Sequence, residues 1–297
     1  MSNNGGEVFR SGFVAIIGRP NVGKSTFLNR ILEEKISIIT PKPQTTRDRI
    51  LGIYTRDDRQ MIFLDTPGIH MSDKELNRCM IDKALSALFD ADLALVMAEP
   101  SDTAESLAPV FEHIKDFRKK ALFALNKSDL LSEEMAEKKI EWLSSGCDFF
   151  HRQAISCITG AGMDALMGEI FEALPEGPPF FPDDILTDST ERFLCAELVR
   201  EKVFLLTQKE IPYSTAVEIE QFKEGDIIRI SAVIHVERPS QKAIVIGRGG
   251  SMLKRIGTEA RIDMERLLGQ KVFLELFVRV TEDWTKNPRE LKRLGYK

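Results

Sequence analysis

The stretch GRPNVGKST, Gly18 to Thr26, sets two glycines five residues apart and follows them with a lysine and two hydroxyls. Glycines at that spacing let successive backbone N–H groups turn toward one anion. Arg19, Pro20, Asn21 and Val22 fill the turn between them, and Gly23 opens what reads as a helix. Lys24 adds a charge that reaches β- and γ-phosphates, and the Ser25 hydroxyl is a hard oxygen suited to Mg2+. The apolar run FVAIIG from residue 13 and the helical run STFLNRILEE from residue 25 supply the strand, loop and helix that such a phosphate cradle requires.

Further stretches fit the same ligand. Asp65-Thr66-Pro67-Gly68 ends the apolar run QMIFLDT, which delivers Asp65 to the metal side and leaves the Gly68 amide able to bond a γ-phosphate; Ile69 follows. Asn126-Lys127-Ser128-Asp129 ends the run ALFALNK. A carboxylate at Asp129 accepts from both the ring N–H and the exocyclic amine of guanine, a pair of donors that adenine does not present. An acceptor left unpaired costs roughly 1–3 kcal/mol, so this residue favours GTP over ATP. Lys127 is expected along the base and ribose, and Asn126 as a brace between loops. Ser156-Cys157, after the run FHRQAIS, supplies a backbone contact to the base oxygen.

A second glycine loop, Gly247-Arg248-Gly249-Gly250, lacks a following lysine–serine pair and cannot repeat the first. It resembles the G-x-x-G turn of K-homology (KH) domains, where backbone amides meet a sugar-phosphate chain and an aliphatic groove holds about four unpaired bases. On that reading Ile244 and Ile246, taken as part of a strand at 242–246, line the groove, while Arg248, Lys254, Arg255 and Arg261 meet phosphates. Charge agrees with it. Residues 238–297 hold 14 Lys plus Arg against 7 Asp plus Glu, a basic segment on a chain whose net charge is −5.

The elements that must position these loops divide at PEGPPFFPDD, four prolines and a glycine in residues 175–184. Upstream, apolar runs at 13, 60, 93, 121 and 150 alternate with helical stretches. That rhythm predicts an α/β domain, residues 10–175, with a mostly parallel six-stranded sheet and helices on both faces. Residues 176–186 read as a linker, and 187–297 as an α+β domain: a helix at 190–207, strands near 215–221, 227–237 and 242–246, a helix at 251–268 and a strand at 271–280. Four scattered cysteines without a C-x-x-C pair suggest neither a disulfide framework nor zinc. The N-terminal ten residues have no signal-peptide core and no run approaches a membrane span, so a cytoplasmic protein is expected.

Over residues 13–160 the five loops resemble the translation-factor-related class of P-loop GTPases. The resemblance implies a threonine that closes over Mg2+ and γ-phosphate. In PKPQTTRDR the matching position is Thr46, with Thr45 as a rival, which makes Ser25, Thr46 and Asp65 the expected metal ligands. The last loop departs from the usual Ser-Ala, with Cys157 in second place. Many small GTPases carry a water-orienting glutamine after D-x-x-G, where this chain has Ile69. His70 beside it is expected to be solvated, and no general base is assigned. Lys24, Thr46, Gly68 and Asn21 are left to carry catalysis. Related GTPases with a hydrophobic residue at this position hold a potassium ion through the asparagine matching Asn21.

From residue 10 to the end the chain is similar to the Era family of bacterial ribosome-assembly GTPases. QTTRDR, DTPGIH, ERPSQKAIVIGRGGSMLKRIG, Ala260-Arg261 and Trp284 before the closing LGY carry the likeness. It implies a type II KH domain, slow hydrolysis of GTP to GDP and phosphate, and binding of the single-stranded 3′ end of small-subunit ribosomal RNA during maturation of that subunit. It admits loose attachment to the inner face of the membrane, without a dedicated anchor in the sequence. A monomer with no DNA partner is expected. If Asn21 holds potassium, GTP turnover measured in potassium chloride exceeds that in sodium chloride several-fold; equal rates remove the ion from the mechanism.

Overall fold

The computed structural model describes residues 9–69 and 75–296. His70 and the first eight residues, on which two of the readings above bear, lie outside that range. The described chain forms two compact units, one of residues 9–36, 46–69 and 81–188, the other of residues 37–45, 75–80 and 189–296.

The first unit is a six-stranded sheet. Its strands are β1 (Arg10–Gly18), β2 (Ile50–Arg56), β3 (Arg59–Asp65), β4 (Leu93–Ala98), β5 (Lys120–Leu125) and β6 (His151–Ala154), in the spatial order β2-β3-β1-β4-β5-β6. All neighbours run parallel except β2, which pairs antiparallel with β3 through the Asp57-Asp58 turn. Five of the six strands correspond to the apolar runs of the sequence. The sixth, β2, reads ILGIYTR, too mixed to stand out. Side chains alternate across the sheet. Ala15 and Ile17 of β1 and Ile62 and Leu64 of β3 enter a core with Ala84, Ala87 and Leu88 of α2 (Glu75–Asp90) and with Leu107, Val110 and Phe111 of α3 (Ala104–Asp116). On the other face Phe63 of β3 meets Phe27 of α1 (Lys24–Leu32) edge-on, with ring centres 5.8 Å apart. Helices α4 (Glu133–Ser144) and α5 (Met163–Ala173) complete the layers.

The proline-rich segment is fastened to this unit rather than hanging from it. Gln60, fully buried, donates to the Phe181 carbonyl at 2.8 Å and accepts from the Phe180 and Phe181 amides at 2.7 and 3.0 Å. The Ser11 hydroxyl donates to the Pro178 carbonyl at 2.6 Å, and the Ile53 amide of outer strand β2 donates to the Leu186 carbonyl at 2.8 Å.

In the second unit a three-stranded sheet is ordered β7 (Ala216–Lys223), β8 (Ile228–Val236), β9 (Val272–Val280), with β7 antiparallel and β9 parallel to β8. Helix α6 (Glu191–Leu206) starts at Thr190, whose hydroxyl accepts from the Phe193 amide. In α8 (Ser251–Leu268) Ile256, Ala260 and Met264 are buried at four-residue spacing, the stripe that packs it onto the sheet. Trp284 is fully buried, donates its indole N–H to the Ser214 carbonyl at 2.9 Å and stacks on Tyr296.

One expected element is corrected. Residues 242–246 form no strand but belong to α7 (Pro239–Ile246). Pro239 supplies a helical φ at the first position, and the Gln241 side chain accepts from the Glu237 and Arg238 amides at 2.9 and 3.1 Å. The β-branched run AIVI favours strand on propensity, and this cap together with the burial of Val245 overrides it.

His235 on β8 is fully buried between Thr281 and Glu218, at 2.9 and 3.1 Å. Burial, with Arg293 adding to it, pushes its pKa below the ordinary 6.5 despite Glu218. A depressed imidazole favours the fold while neutral. Its contribution is complete above pH ~6.5 and is lost as pH falls below that. The thermal midpoint of the protein therefore drops between about pH 7.5 and 5.5, and His235→Gln flattens that dependence.

Candidate nucleotide site and nucleic-acid groove

The phosphate loop leaves β1 at Gly18 and enters α1 at Lys24, and its shape depends on three glycines that cannot carry a side chain. A Cβ on Gly23, whose φ is 102°, would stand 2.2 Å from Asn126 Nδ2; one on Gly18 would stand 2.4 Å from the Met97 carbonyl; one on Gly68 would stand 2.4 Å from the Pro20 nitrogen. The Ile69 amide donates to the Gly18 carbonyl at 3.1 Å, which ties the D-x-x-G segment to the loop, and Thr66 donates to the Ile16 carbonyl at 2.7 Å. Val22 is fully buried, and Ile69 is buried in the sheet's core.

Lys24 lies buried with its ammonium on the Gly18 and Arg19 carbonyls, at 3.2 and 2.9 Å. Ser25 Oγ stands 2.6 Å from Asp65 Oδ2 and 2.9 Å from Thr46 Oγ1, so three hard oxygen ligands converge. That set fits Mg2+, which takes carboxylate and hydroxyl oxygens. Thr45 turns elsewhere: its hydroxyl is 2.6 Å from that of Thr40 and 2.7 Å from the Lys42 carbonyl.

The base side is assembled from two loops. Ser128 begins a short turn of 3-10 helix, its amide on the Ile155 carbonyl at 3.0 Å. The Ser156 hydroxyl donates to Asp129 Oδ1 at 2.5 Å, which holds the carboxylate in place. Asn126 Nδ2 donates to the Val22 carbonyl at 2.8 Å while its Oδ1 accepts from the Cys157 amide at 3.0 Å. Burial pushes the Cys157 thiol up to about 12, so it stays protonated and inert. Lys127 reaches the Asn21 carbonyl at 3.0 Å and pairs with Glu99. Arg19 pairs with the buried Asp102. The loop carrying Glu99 and Asp102 therefore clasps both the phosphate loop and the base lysine. Sequence reasoning passed over it, because two acids after an apolar run match no motif. Thr26 lies in the first turn of α1, half-buried.

In the second unit the G-x-x-G turn joins α7 to α8. Gly247, Gly249 and Gly250 have φ of 73°, 59° and 77°, and a Cβ on Gly249 or Gly250 would meet nothing within 4 Å. Glycine serves there for the left-handed backbone and for an open approach. Beside the turn, a groove of about 400 Å3 runs between α8 and the outer strand β9, lined by Leu253, Lys254, Gly257, Arg261, Leu274 and Leu276 among others. Gly257 makes the groove: its absent Cβ would stand 3.3 Å from Leu276. Of the expected contacts, Gly250, Lys254 and Arg261 line it, and Arg248 and Arg255 are exposed nearby in sequence. Ile244 and Ile246 do not line it. On a helix, residues two apart point to different sides, and Ile244 is 51% exposed on α7. The apolar wall of this groove is Leu253, Leu274 and Leu276, two of which lie on the alternating strand β9, where the sequence carries no motif.

The fold and site define a P-loop GTPase domain joined to a KH domain. The family models agree: residues 13–127 match the 50S ribosome-binding GTPase family and residues 210–285 the KH domain. The chain is 51% identical to the GTPase Era of Syntrophus aciditrophicus, over 97% of this chain and 96% of that protein. It is 50% identical to the GTPase Era of Geobacter metallireducens over the full length of both. A crystal structure of Era with MgGDPNP and nucleotides 1506–1542 of 16S ribosomal RNA superposes with a TM-score of 0.92 at 39% identity, covering 97% of this chain and 99% of that one. An Aquifex aeolicus Era variant bound to GDP·AlF4− gives 0.91 at 39% identity, with the same coverage. The chain belongs to the Era family of GTPases.

Burial brings the Lys24 ammonium down to about 8, against the pull of Asp65 and Asp102. A phosphate beside Nζ raises it again, so nucleotide binding takes up a proton near pH 8 and weakens as pH rises further. Calorimetric titration with GDP at about pH 8.5, in two buffers of different ionisation enthalpy, reads that uptake; Lys24→Arg, protonated at every pH used, abolishes it.

Proposed function

We propose that this chain is a Mg2+-dependent GTP switch that binds the single-stranded 3′ end of small-subunit ribosomal RNA and acts in maturation of that subunit. The convergence of Ser25, Thr46 and Asp65 carries the nucleotide half of the reading, because a γ-phosphate and its metal are what would hold those three segments together. The groove between α8 and β9, beside a basic G-x-x-G turn, supports the RNA half, and a relative of this chain holds 16S ribosomal RNA.

Within the G domain, the N–H groups of residue 19 and residues 21–26 and the Lys24 ammonium hold the phosphates, Pro20 having no N–H to give, and the Gly68 amide faces the γ-phosphate. Asp129, fixed by Ser156, selects guanine; the Cys157 amide is shared with Asn126 beside the base oxygen. Mg2+, when bound by Ser25, Thr46 and Asp65, supplies charge neutralisation at the β- and γ-oxygens. Ile69 is buried and has no group to orient water, so intrinsic turnover is slow. Potassium at Asn21 is the proposed aid to hydrolysis. Among the described residues no helix is long and apolar enough to cross a membrane. The chain acts as a cytoplasmic monomer, and any membrane contact is peripheral.

In the RNA unit the backbone of 247–250 approaches the sugar-phosphate chain, Arg248, Lys254, Arg255 and Arg261 neutralise phosphates, and Leu253, Leu274 and Leu276 contact bases. A short RNA matching the small-subunit 3′ end, titrated at fixed salt, binds several-fold tighter with a non-hydrolysable GTP analogue than with GDP, and Gly257→Val, which fills the groove, weakens it at least tenfold. Equal affinity in both nucleotide states would show a constitutive RNA module with no energetic link to the nucleotide.

A further inference from the structure

Arg200 of α6 is a buried charge that neither the nucleotide reading nor the RNA reading uses. Its side chain is 1% exposed, in the same unit as residues 37–45. Taking a guanidinium out of water costs several kcal/mol unless its donors are met. Glu197, one turn back on the helix, accepts from Nε at 2.7 Å and from one terminal nitrogen, and Phe204 lies under the guanidinium. That same terminal nitrogen also donates to the Thr45 carbonyl, at 2.5 Å.

The segment ending at Thr45 is fixed at other points as well. Lys42 places its ammonium on the Phe204 and Thr207 carbonyls, at the negative end of α6. The Ile39 amide donates to Glu201 at 3.0 Å, and the Thr45 hydroxyl is held inside the segment by Thr40 and Lys42. The chain therefore has no slack at Thr45. The next residue is Thr46, whose hydroxyl stands beside Ser25 in the first unit, and consecutive Cα atoms are about 3.8 Å apart.

We infer that Arg200 is a positioning residue for GTP hydrolysis: by fixing the Thr45 carbonyl it sets where Thr46 presents its hydroxyl to the metal site. This rests on the reading of Thr46 as the switch ligand. The role is specific to the triphosphate state, since a threonine that closes over the γ-phosphate has nothing to close over in GDP.

The test compares affinities for GDP and for a non-hydrolysable GTP analogue, with single-turnover hydrolysis, in the full-length wild type, Arg200→Met, Thr46→Ala and the double variant. Arg200→Met is expected to weaken the analogue about tenfold, the loss of one charge-assisted bond, to leave GDP within about twofold, and to slow hydrolysis. Adding it to Thr46→Ala is expected to cost nothing more, because both act through one hydroxyl. Where Arg200→Met does not fold, Arg200→Lys is read instead; it keeps the charge opposite Glu197 but cannot hold Glu197 and Thr45 together. Equal weakening of GDP and analogue, or no change in either, while Thr46→Ala remains selective, overturns the proposal. An inert Thr46→Ala removes the reading of Thr46 and the proposal with it.

Discussion

The Asn126 amide is the joint on which the nucleotide site depends. One end of it holds the Val22 carbonyl of the phosphate loop and the other the Cys157 amide of the base loop, so three segments far apart in sequence share one planar group. The group is buried, and each of its two bonds would leave an orphaned polar atom if broken. Its position also explains Gly23, since any side chain there would overlap the amide nitrogen. The phosphate cradle and the guanine pocket are therefore not independent sites: to move one loop is to move the other.

Around that joint the electrostatics are arranged with the ligand in mind. Lys24 lies on two backbone carbonyls, and its burial lowers its affinity for a proton against the pull of Asp65 and Asp102. Arg19 and Lys127 differ, since each already has a carboxylate from the loop after β4. Those two pairs hold the walls of the site, while Lys24 has no carboxylate in direct contact among the described residues and its charge is left for a phosphate. Preorganisation of this kind leaves little rearrangement to be done when the nucleotide arrives.

How much of this was legible in the sequence depended on whether a residue's role was local. The glycines, Lys24, Ser25, Asp65 and the NKSD stretch announce themselves because the chemistry dictates residue types at fixed spacing. The inner parallel strands β1, β3, β4 and β5 were legible because burial on both faces makes them nearly continuous apolar runs. What was hidden is non-local. Strand β2 is mixed because it lies at the sheet's edge. The groove wall of Leu274 and Leu276 comes from a strand beyond the helix that carries the motif. Residues 242–246 misled because AIVI has strand propensity, and what decides its form is a glutamine cap and the packing of Val245. Arg200 reads as one more basic residue on a helix, and its burial against Thr45 depends on a segment 155 positions away.

The strapped proline segment has a consequence for how the chain survives before it is complete. Strand β2 is one of the sheet's two outer strands, and an outer strand offers unpaired N–H groups to any extended chain that meets it. Leu186 takes the Ile53 amide, and Phe180 and Phe181 are locked to Gln60 on the neighbouring strand. Pro175, Pro178, Pro179 and Pro182 have no N–H of their own, so the strap itself offers few donors to another chain. During synthesis the Ile53 amide of β2 waits for residue 186, so what composition marks as a spacer between domains also closes one point of an open sheet edge.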